Sequence, residues 1–274
     1  MAKILENKMI VPNVCMITVS APEIAQSVKA GQFVIVRVDE DGERIPLTVS
    51  DWDVNQGTIT LVYLLVGKTT QKLSTLAAKD ALATVVGPLG NAMEIDSFGK
   101  VACVGGCYGL ASIYPIARAL KEKGNQVTVI VEARSSNLVY WHKKLKSVSD
   151  RLIVITRDGS QGVRGHIGEM QTLLADPATR PDRVIVNGCN YLMMRAAQET
   201  SPLNIKTIVS LNTLMIDGTG MCGVCRVTVN SSTKFACVDG PHFDAHEVDW
   251  DELTQRRKAY LSEETQTLRS SAPQ

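Results

Sequence analysis

The chain has 274 residues, of which 45% are hydrophobic and 21% charged. That balance supplies enough apolar side chains for a packed core, excludes a disordered chain and, at this length, favours about two domains. The formal net charge is only +1, which gives no electrostatic reason to expect nucleic acid or an anionic membrane as a partner, so we expect neither.

The cysteines and the apolar runs bear on the compartment. No apolar run approaches the roughly 18 residues of a membrane span, and the early Glu6 argues against a signal peptide. An odd, uneven set of cysteines is not a secreted disulfide framework, so we expect a reducing, cytoplasmic setting. The seven are Cys15, Cys103, Cys107, Cys189, Cys222, Cys225 and Cys237.

Residues 1–98 are predicted to form a small antiparallel β-barrel domain. Short runs of β-branched and apolar residues at 17–20, 32–38 and 58–66 are bounded by turn signals such as Asp41-Gly42. Strands at this spacing favour a barrel.

Residues 99–212 are predicted to form an α/β domain. Strands are expected at 101–106, 126–132, 152–156, 184–187 and 206–211, and helices at 111–123, 138–146, 167–174 and 192–199. Such alternation indicates a parallel sheet with crossover helices. Residues 213–274 follow as a cysteine loop and a charged tail, in which 250–269 is expected to be an exposed helix.

The cysteine loop carries the most specific motif. Cys222, Cys225 and the distant Cys237 match the last three positions of Cys-x4-Cys-x2-Cys…Cys, the plant-type spacing of a [2Fe–2S] cluster. Asp217 stands at the first position, where its oxygen can replace a thiolate. A zinc site is the alternative, although zinc prefers two well-separated ligand pairs; plain structural cysteines are another. Asp217 before glycine is also an ordinary turn residue.

A glycine-rich turn follows the first strand of the α/β domain. Gly105, Gly106, Cys107 and Gly109 can bring the backbone close to a pyrophosphate at a helix N-terminus. Glycines at such turns also serve packing alone. The turn departs from the Gly-x-Gly-x-x-Gly fingerprint, which argues against an ordinary Rossmann site.

Two polar segments of the barrel suit a flavin and its diphosphate, since they combine cations, hydroxyls and backbone amides. Solvated turns are the alternative interpretation. The residues are Arg44, Pro46, Leu47, Thr48 and Ser50 in the first segment and Gly67, Lys68, Thr69 and Thr70 in the second.

Further candidates lie where the parallel strands end, the edge at which open α/β sheets bind ligands. They include Asp158, Gly159 and Ser160 after one strand and Gly188 after another. At the end of the second strand, Glu132 can accept the ribose 2′-hydroxyl of NAD and repel a 2′-phosphate. Arg134 nearby could instead hold the phosphate of NADP. We favour NAD(H).

These motifs, in this order, resemble the ferredoxin–NADP reductase-like superfamily over nearly the whole chain. The likeness lies in the branch of dihydroorotate dehydrogenase electron-transfer subunits and small subunits of NADH-dependent reduced ferredoxin:NADP oxidoreductases, also known as sulfide dehydrogenases. It rests on Arg44-Ile-Pro-Leu-Thr48, Val66-Gly-Lys-Thr-Thr70, Val86-Gly-Pro-Leu-Gly90, Gly105-Gly-Cys-Tyr-Gly109, Asp158-Gly-Ser160, and Asp217 to Cys225 with Ala236-Cys-Val-Asp-Gly-Pro241.

The resemblance implies that the barrel binds FAD, the α/β domain NAD(H) and the loop a [2Fe–2S] cluster. It places Arg44 and Thr48 against the flavin, residues 67–70 at its diphosphate, and the glycine turn and Asp158 beside the nicotinamide nucleotide. Aspartate at position 217 is typical of the ferredoxin:NADP oxidoreductase branch, whereas the dihydroorotate branch has cysteine. Cys107 replaces a third glycine.

The implied function is that of an NAD-handling electron-transfer subunit, in one version an electron-bifurcating one. A flavin is the required intermediary between a hydride carrier and a one-electron cluster, so no catalytic acid or base is invoked. The expected partner, in a heterodimer or a higher complex, is a larger flavoprotein with FAD and four-iron clusters, through which ferredoxin is reached. The alternatives are an electron-transfer subunit of a dihydroorotate dehydrogenase and a non-enzymatic regulator with a zinc loop.

Overall fold

The computed structural model describes residues 1–166, 174, 176–263 and 265–266. Residues 2–89 form an antiparallel sheet of seven strands that closes nearly into a barrel, which confirms the predicted architecture. The strands are β1 (Ala2–Val11), β2 (Val14–Ser20), β3 (Phe33–Arg37), β4 (Arg44–Asp53), β5 (Thr58–Leu64), β6 (Ala81–Leu82) and β7 (Thr84–Leu89), and the helices beside them are α1 (Pro22–Ser27) and α2 (Lys68–Thr75).

The barrel strands follow the order β6-β1-β2-β5-β4-β3-β7. Alternate side chains point inward, so Ile17, Ile59 and Leu61 are buried in the barrel core. Between β3 and β4, Phe33 stands opposite Thr48. This register brings an aromatic side chain beside one of the predicted flavin-binding hydroxyls.

The second sheet contains seven strands among the described residues and is parallel except at one edge. Five of its six parallel strands are those predicted from the alternation of strands with helices, whereas the short sixth, at residues 163–164, was not predicted. The elements are β8 (Lys100–Gly106), α3 (Gly109–Glu122), β9 (Gln126–Ala133), α4 (His142–Ser147), β10 (Arg151–Thr156), β11 (Val163–Arg164), β12 (Arg183–Asn187), α5 (Asn190–Thr200), β13 (Lys206–Ser210), β14 (Arg226–Val229), β15 (Ser232–Phe235), β16 (His242–Asp244) and α6 (Trp250–Arg257).

The order in this sheet is β11-β10-β9-β8-β12-β13-β16. β8 is central and almost wholly buried, because helices cover both faces of a parallel sheet. β16, which follows the cysteine loop in sequence, pairs antiparallel with β13 at the edge. β14 and β15 form a separate hairpin.

Two of the predicted helices, at 138–146 and in the tail, differ from the structure, and a third lies largely outside the described residues. The helix expected at 138–146 is wrong in its first half: a 3₁₀ turn covers Ser136–Leu138 and the α-helix begins only at His142. Trp141 has a left-handed φ of 55° and packs edge-on against Tyr114 and Tyr140, so tertiary aromatic contacts override the helical pattern. The helix predicted at 167–174 falls, apart from Leu174, outside the described residues.

The predicted tail helix is interrupted and is less exposed at its start. α6 covers Trp250–Arg257, and Asp249 caps it by accepting a hydrogen bond of 2.9 Å from the Glu252 amide. A turn follows at 258–260, and residues 261–263 and 265–266 are again helical. Leu253 is only 1% exposed and packs into the core beneath the second sheet. Among the described helices, none combines the length and apolar character needed to cross a membrane.

A cluster of ions and aromatic rings joins the barrel to the α/β domain. Asp51 of β4 accepts from Arg118 Nη1 at 2.8 Å and from Lys144 Nζ at 2.5 Å. The Arg118 guanidinium lies 4.8 Å from the Trp52 ring centroid, and Lys144 Nζ lies 4.4 Å from that of Tyr114. The strand with the predicted flavin motif is thereby fixed to helices of the α/β domain.

A buried histidine forms a second connection between the domains. His242 of β16 donates through Nε2 to the Gly31 carbonyl at 3.1 Å, and its Nδ1 is buried with no partner among the described residues. Burial lowers the pKa of His242 from 6.5 to about 4. The unfolded chain therefore takes up a proton before the folded chain does, and stability is lost as pH falls from about 6.5 to 4.

We expect this histidine to make unfolding pH-dependent. Between pH 7 and pH 5 the native protein should lose roughly 2 kcal/mol more of its unfolding free energy than His242→Gln, which cannot titrate. Denaturant unfolding at both pH values measures the difference. His142→Gln, which alters an exposed histidine, is the control and should follow the native protein; equal pH dependence in both variants would contradict the assignment.

The Asp51 cluster should contribute to stability more than an ordinary surface ion pair. Asp51→Asn leaves two partly buried cations without their carboxylate and should cost roughly 1–3 kcal/mol in denaturant unfolding. Lys121→Gln removes an ion pair of 2.5 Å with Asp150 from the same helix, α3, but within one domain. Its cost should stay below about 1 kcal/mol. Similar losses in the two variants would show that the interdomain position has no special weight.

Candidate functional site

Two of the predicted cluster ligands lie together in the interior. The sulfur atoms of Cys225 and Cys237 are 3.2 Å apart, and both side chains are buried against Phe33 and Ile35 of β3. Burial, with the Cys225 thiol alongside, raises the pKa of Cys237. Thiols in such a place bind a metal as thiolates and release their protons on doing so.

The other two predicted ligands form a second pair closer to the surface. The backbone amides of Val224 and Asp217 point at the Cys222 sulfur and lower the pKa of Cys222. The Thr219 hydroxyl donates to the Asp217 carboxylate and lowers the pKa of Asp217. Arg44 Nη1 is 3.8 Å from the same carboxylate. Both potential ligands therefore favour their deprotonated forms.

The loop backbone suits a cluster. Gly218 has a φ of +81°, and a Cβ there would come within 2.8 Å of Ile35 Cγ1, so only glycine allows the loop to lie this close to β3. Among the described residues no three His, Cys, Asp or Glu side chains surround a single metal position. A two-iron cluster instead needs two ligands on each iron, and the donors fit that demand as two pairs: Asp217 with Cys222, and Cys225 with Cys237.

A cleft lies between the barrel and the α/β domain. Its enclosed part measures about 60 Å³. Of the predicted cofactor-binding residues, Pro46, Thr48, Gly109 and Gly188 line it. Much of the rest of the wall comes from residues that were not among the predicted site residues: Phe33, Tyr108, Ser112, Asn187, Asn212, Thr213, Met215 and Pro241.

The glycine turn has a packing role, which was the alternative interpretation of its sequence. A Cβ on Gly109 would lie 2.0 Å from the Asn187 carbonyl oxygen, so β12 and the start of α3 touch only because this residue is glycine. Cys107 has a φ of 55°, in the left-handed region that favours glycine. The thiol is exposed, and the turn keeps the shape that a glycine at this position would give.

Tyr108 and Asn212 are two of the residues in the wall of the cleft that the sequence analysis did not single out. The Tyr108 hydroxyl donates to the Gly188 carbonyl at 3.0 Å, and Asn212 Nδ2 donates to the same oxygen at 2.9 Å and to the Tyr108 hydroxyl. Burial raises the pKa of Tyr108. The position of Tyr108 inside the glycine turn was a usable signal, whereas Asn212 carries none.

The remaining barrel candidates do not line the cleft. Arg44 points toward the cysteine loop, Leu47 is half-buried in β4, and the Ser50 hydroxyl donates to the Thr48 carbonyl at 3.4 Å. At the start of α2, Thr70 Oγ1 accepts from the Gly67 amide at 3.1 Å, Thr69 donates to Glu43, and Lys68 is exposed. A Cβ on Gly67 would meet no atom within 4 Å, so the start of α2 lies open to a ligand.

The candidates for nucleotide preference lie at the ends of β9 and β10. Glu132 is 5% exposed and is paired with Arg157 Nη2 at 3.1 Å and His166 Nε2 at 3.3 Å. A ribose would therefore meet a carboxylate that already has side-chain partners. Arg134 is exposed.

The Asp158 segment is held by short local hydrogen bonds. Asp158 Oδ1 accepts from the Ser160 hydroxyl at 2.6 Å and from the Ser160 amide, which lower the pKa of Asp158. The Ser160 hydroxyl accepts in turn from the Ser136 amide at 2.7 Å, which ties the loop to the end of β9. Gly159, with a φ of +77°, allows the turn.

Comparison with known proteins gives consistent matches. Residues 212–249 match the iron-sulfur cluster binding domain of dihydroorotate dehydrogenase B. A Thermotoga maritima homologue of the dihydroorotate dehydrogenase B (NAD⁺) electron transfer subunit is 43% identical over 90% of this chain and 86% of its own length. The electron transfer subunit of Enterococcus faecalis strain V583 is 27% identical over 90% of this chain and 97% of its own.

Solved structures agree with the sequence matches. A chain of the NADH-dependent reduced ferredoxin-NADP oxidoreductase, studied for flavin-based electron bifurcation, superposes with a TM-score of 0.92 at 40% identity, covering 98% of this chain and 97% of that chain. An Amycolatopsis cytochrome P450 reductase, with a TM-score of 0.57 at 18% identity over 74% of this chain and 66% of that chain, shares the fold.

Proposed function

The chain belongs to the family of dihydroorotate dehydrogenase B electron transfer subunits and their homologues, and on this basis we propose that it carries electrons between NAD(H), FAD and a [2Fe–2S] cluster within a larger oxidoreductase. One observation carries the proposal. The two pairs of candidate iron ligands lie beside an interdomain cleft whose walls come from the predicted flavin and nucleotide segments.

Each group has its own set of residues. Asp217, Cys222, Cys225 and Cys237 hold the cluster. FAD is held by residues 67–70 together with Arg44, Pro46, Leu47, Thr48 and Ser50. The nicotinamide nucleotide is held by Gly105, Gly106, Cys107, Gly109, Glu132, Arg134, Asp158, Gly159, Ser160 and Gly188.

When bound, the cofactors supply the redox chemistry: a flavin can accept a hydride, and with it two electrons, from a nicotinamide and release the electrons singly to an iron–sulfur centre. The role of the protein is to orient these groups and to exclude water from them. Backbone amides at the start of α3 would hold a phosphate of the nucleotide, and the Tyr108–Asn212–Gly188 hydrogen bonds would keep the adjoining wall of the cleft in place. Phe33 both lines the cleft and packs on Cys225 and Cys237, so one side chain separates the flavin site from the cluster site.

Arg44 connects the same two sites from the solvent side. The resemblance places it against the flavin, and its guanidinium lies 3.8 Å from the Asp217 carboxylate. An oxygen ligand changes the charge of the cluster relative to four thiolates, and cluster potentials follow charge and hydrogen bonding. We assign Arg44 the role of balancing that carboxylate.

A larger partner subunit is part of the proposal. The relatives are subunits by name, and this chain exposes apolar side chains around its cysteine loop, including Met221 at 89% and Ile216 at 54%. An exposed apolar patch marks an interaction site. We propose a partner flavoprotein with FAD and four-iron clusters, as in the ferredoxin:NADP oxidoreductases, with ferredoxin reached through it.

Two further choices follow from single residues. Aspartate at position 217 favours the ferredoxin:NADP oxidoreductase type over a dihydroorotate dehydrogenase subunit. Glu132 at the end of β9 favours NAD(H) over NADP(H), since even a paired carboxylate disfavours a 2′-phosphate. The match of residues 212–249 to an iron–sulfur domain argues against a zinc-loop regulator.

Purification without oxygen tests the proposal directly. We expect a coloured protein with two irons and two acid-labile sulfides per chain, bound FAD, and bleaching of the flavin by NADH in a rapid-mixing spectrum. A colourless protein that contains zinc and no flavin would contradict the proposal.

The cluster and the flavin should be separable by mutation. Cys225→Ser removes one thiolate of the buried pair, so iron and sulfide should fall to background while FAD is retained and NADH still bleaches it. Cys189→Ser, an exposed cysteine outside the loop, is the matched control and should keep its iron. Joint loss of flavin and iron from Cys225→Ser in a folded protein would argue against separate sites.

A further inference from the structure

Two cysteines outside the cysteine loop lie where neighbouring strands of the second sheet end. β8 and β12 run parallel, with Gly105 opposite Asn187. Cys107 lies two residues beyond Gly105, and Cys189 lies two residues beyond Asn187. Both cysteines are exposed. They therefore occupy matching positions at the edge of the sheet where its parallel strands have their carboxyl ends.

The two chain segments stay in contact up to the cysteines. A Cβ on Gly188 would lie 3.2 Å from the Gly106 carbonyl oxygen and 3.4 Å from the Gly106 amide nitrogen, so the residues immediately before the two cysteines touch. The Tyr108 hydroxyl donates to the Gly188 carbonyl at 3.0 Å from the other side of Cys107. Neighbouring strands lie about 4.8 Å apart, and a disulfide joins Cα atoms that are about 4.4–6.8 Å apart. The backbone segments that carry the two thiols are thus spaced as a disulfide requires.

The Cys189 sulfur is also within electrostatic reach of the glycine turn. Partial burial raises the pKa of Cys107, the Tyr108 amide opposes that rise, and the Cys189 thiol adds to it. The same thiol adds to the rise that burial causes in the pKa of Tyr108. Interactions between like charges weaken with distance, so these two effects agree with the contact between the backbone segments.

Neither position calls for cysteine on structural grounds. Cys107 has a φ of 55°, a left-handed conformation that glycine adopts more easily. Cys189 is the N-cap of α5, yet its side chain makes no capping hydrogen bond among the described residues. Serine, threonine, aspartate and asparagine are preferred at an N-cap. Two neighbouring positions thus hold thiols where other residues would suit the backbone better.

We propose that Cys107 and Cys189 form a reversible disulfide that regulates the nucleotide site, with a low-molecular-weight disulfide such as oxidised glutathione as the oxidant. One cysteine attacks the small disulfide as its thiolate, forms a mixed disulfide and releases one small thiol. The other cysteine then attacks the protein sulfur of that mixed disulfide and displaces the second small thiol. The two cysteines lose two electrons and two protons, which leave with the two small thiols. Because the protein disulfide is exposed, small thiols can reduce it again.

The disulfide has a consequence that rests on the proposed function. The residues before the two cysteines, Gly106 and Gly188, belong to the set proposed to hold the nicotinamide nucleotide. A bond between Cys107 and Cys189 puts two sulfur atoms across the ends of β8 and β12, at the edge where open α/β sheets bind ligands. The backbone amides that a phosphate needs are then covered. We expect the oxidised protein to bind NAD⁺ at least tenfold more weakly than the reduced protein.

Peptide mapping of the purified holoprotein tests the disulfide. The protein is incubated without oxygen with excess oxidised glutathione, the remaining thiols are alkylated, and fragment masses locate each cysteine. We expect a crosslink between Cys107 and Cys189 that dithiothreitol removes. Cys189→Ser should instead keep glutathione bound to Cys107, because no second thiol resolves the mixed disulfide. Since Cys189 is exposed, a serine there should be compatible with the fold.

Calorimetric titration with NAD⁺ tests the consequence. The reduced and the oxidised native protein are compared, and dithiothreitol should restore the affinity of the oxidised sample. The control is the double variant Cys107→Gly with Cys189→Ser, which has no thiol at either position. Its affinity for NAD⁺ should be the same before and after treatment with glutathione, so this control measures any effect of the oxidant elsewhere in the protein.

The outcomes separate the disulfide from the function. Native protein in which both thiols stay open to alkylation, or in which glutathione remains attached without a crosslink, would overturn the disulfide. A crosslink that leaves the affinity for NAD⁺ unchanged overturns the link to the nucleotide site alone. If the reduced protein does not bind NAD⁺, the proposed function is wrong, while a mapped crosslink still supports the thiol pair.

Discussion

The packing of the cysteine loop on one barrel strand is the contact on which both proposed redox sites depend. Cys225 and Cys237 are buried against Phe33 and Ile35, and Gly218 is the residue that lets the loop approach this closely. Because Phe33 stands opposite Thr48 in the sheet, the same strand supports both the loop and the cleft. The distance between the two proposed redox sites is thus set by the pairing of β3 with β4.

The second requirement is a fixed angle between the domains. Hydride transfer needs the reacting atoms within about 3–3.5 Å of each other, and the cleft walls belong to different domains. Asp51 on β4 with Arg118 on α3, and His242 with Gly31, connect those domains at two separated points. The aromatic rings around Arg118 and Lys144 add contacts that salt screens less than an exposed ion pair.

Sequence patterns predicted the barrel, the parallel sheet and the cysteine loop, because periodicity and motif spacing are local properties. They failed where contacts between residues that are distant in sequence determine the local structure. Trp141 leaves the helical pattern to pack on Tyr114, and Leu253 is buried although the charged tail around it indicates an exposed helix. Asp51 and Arg118 are 67 residues apart in sequence, and Asn212 carries no local signal. The spacing of thiols revealed the candidate ligands, but only the fold divides them into a buried and an exposed pair.

The placement of β16 limits how freely this architecture can be rearranged. The chain passes through the cysteine loop and then returns to supply the antiparallel edge strand of the nucleotide-binding sheet, after which Leu253 fills the core beneath it. The loop and the chain that follows it therefore cannot be removed without affecting the second sheet. A chain cut before the loop would leave β13 as a bare edge, open to pairing with other chains, so grafting this redox module onto another reductase requires transferring its sheet edge as well.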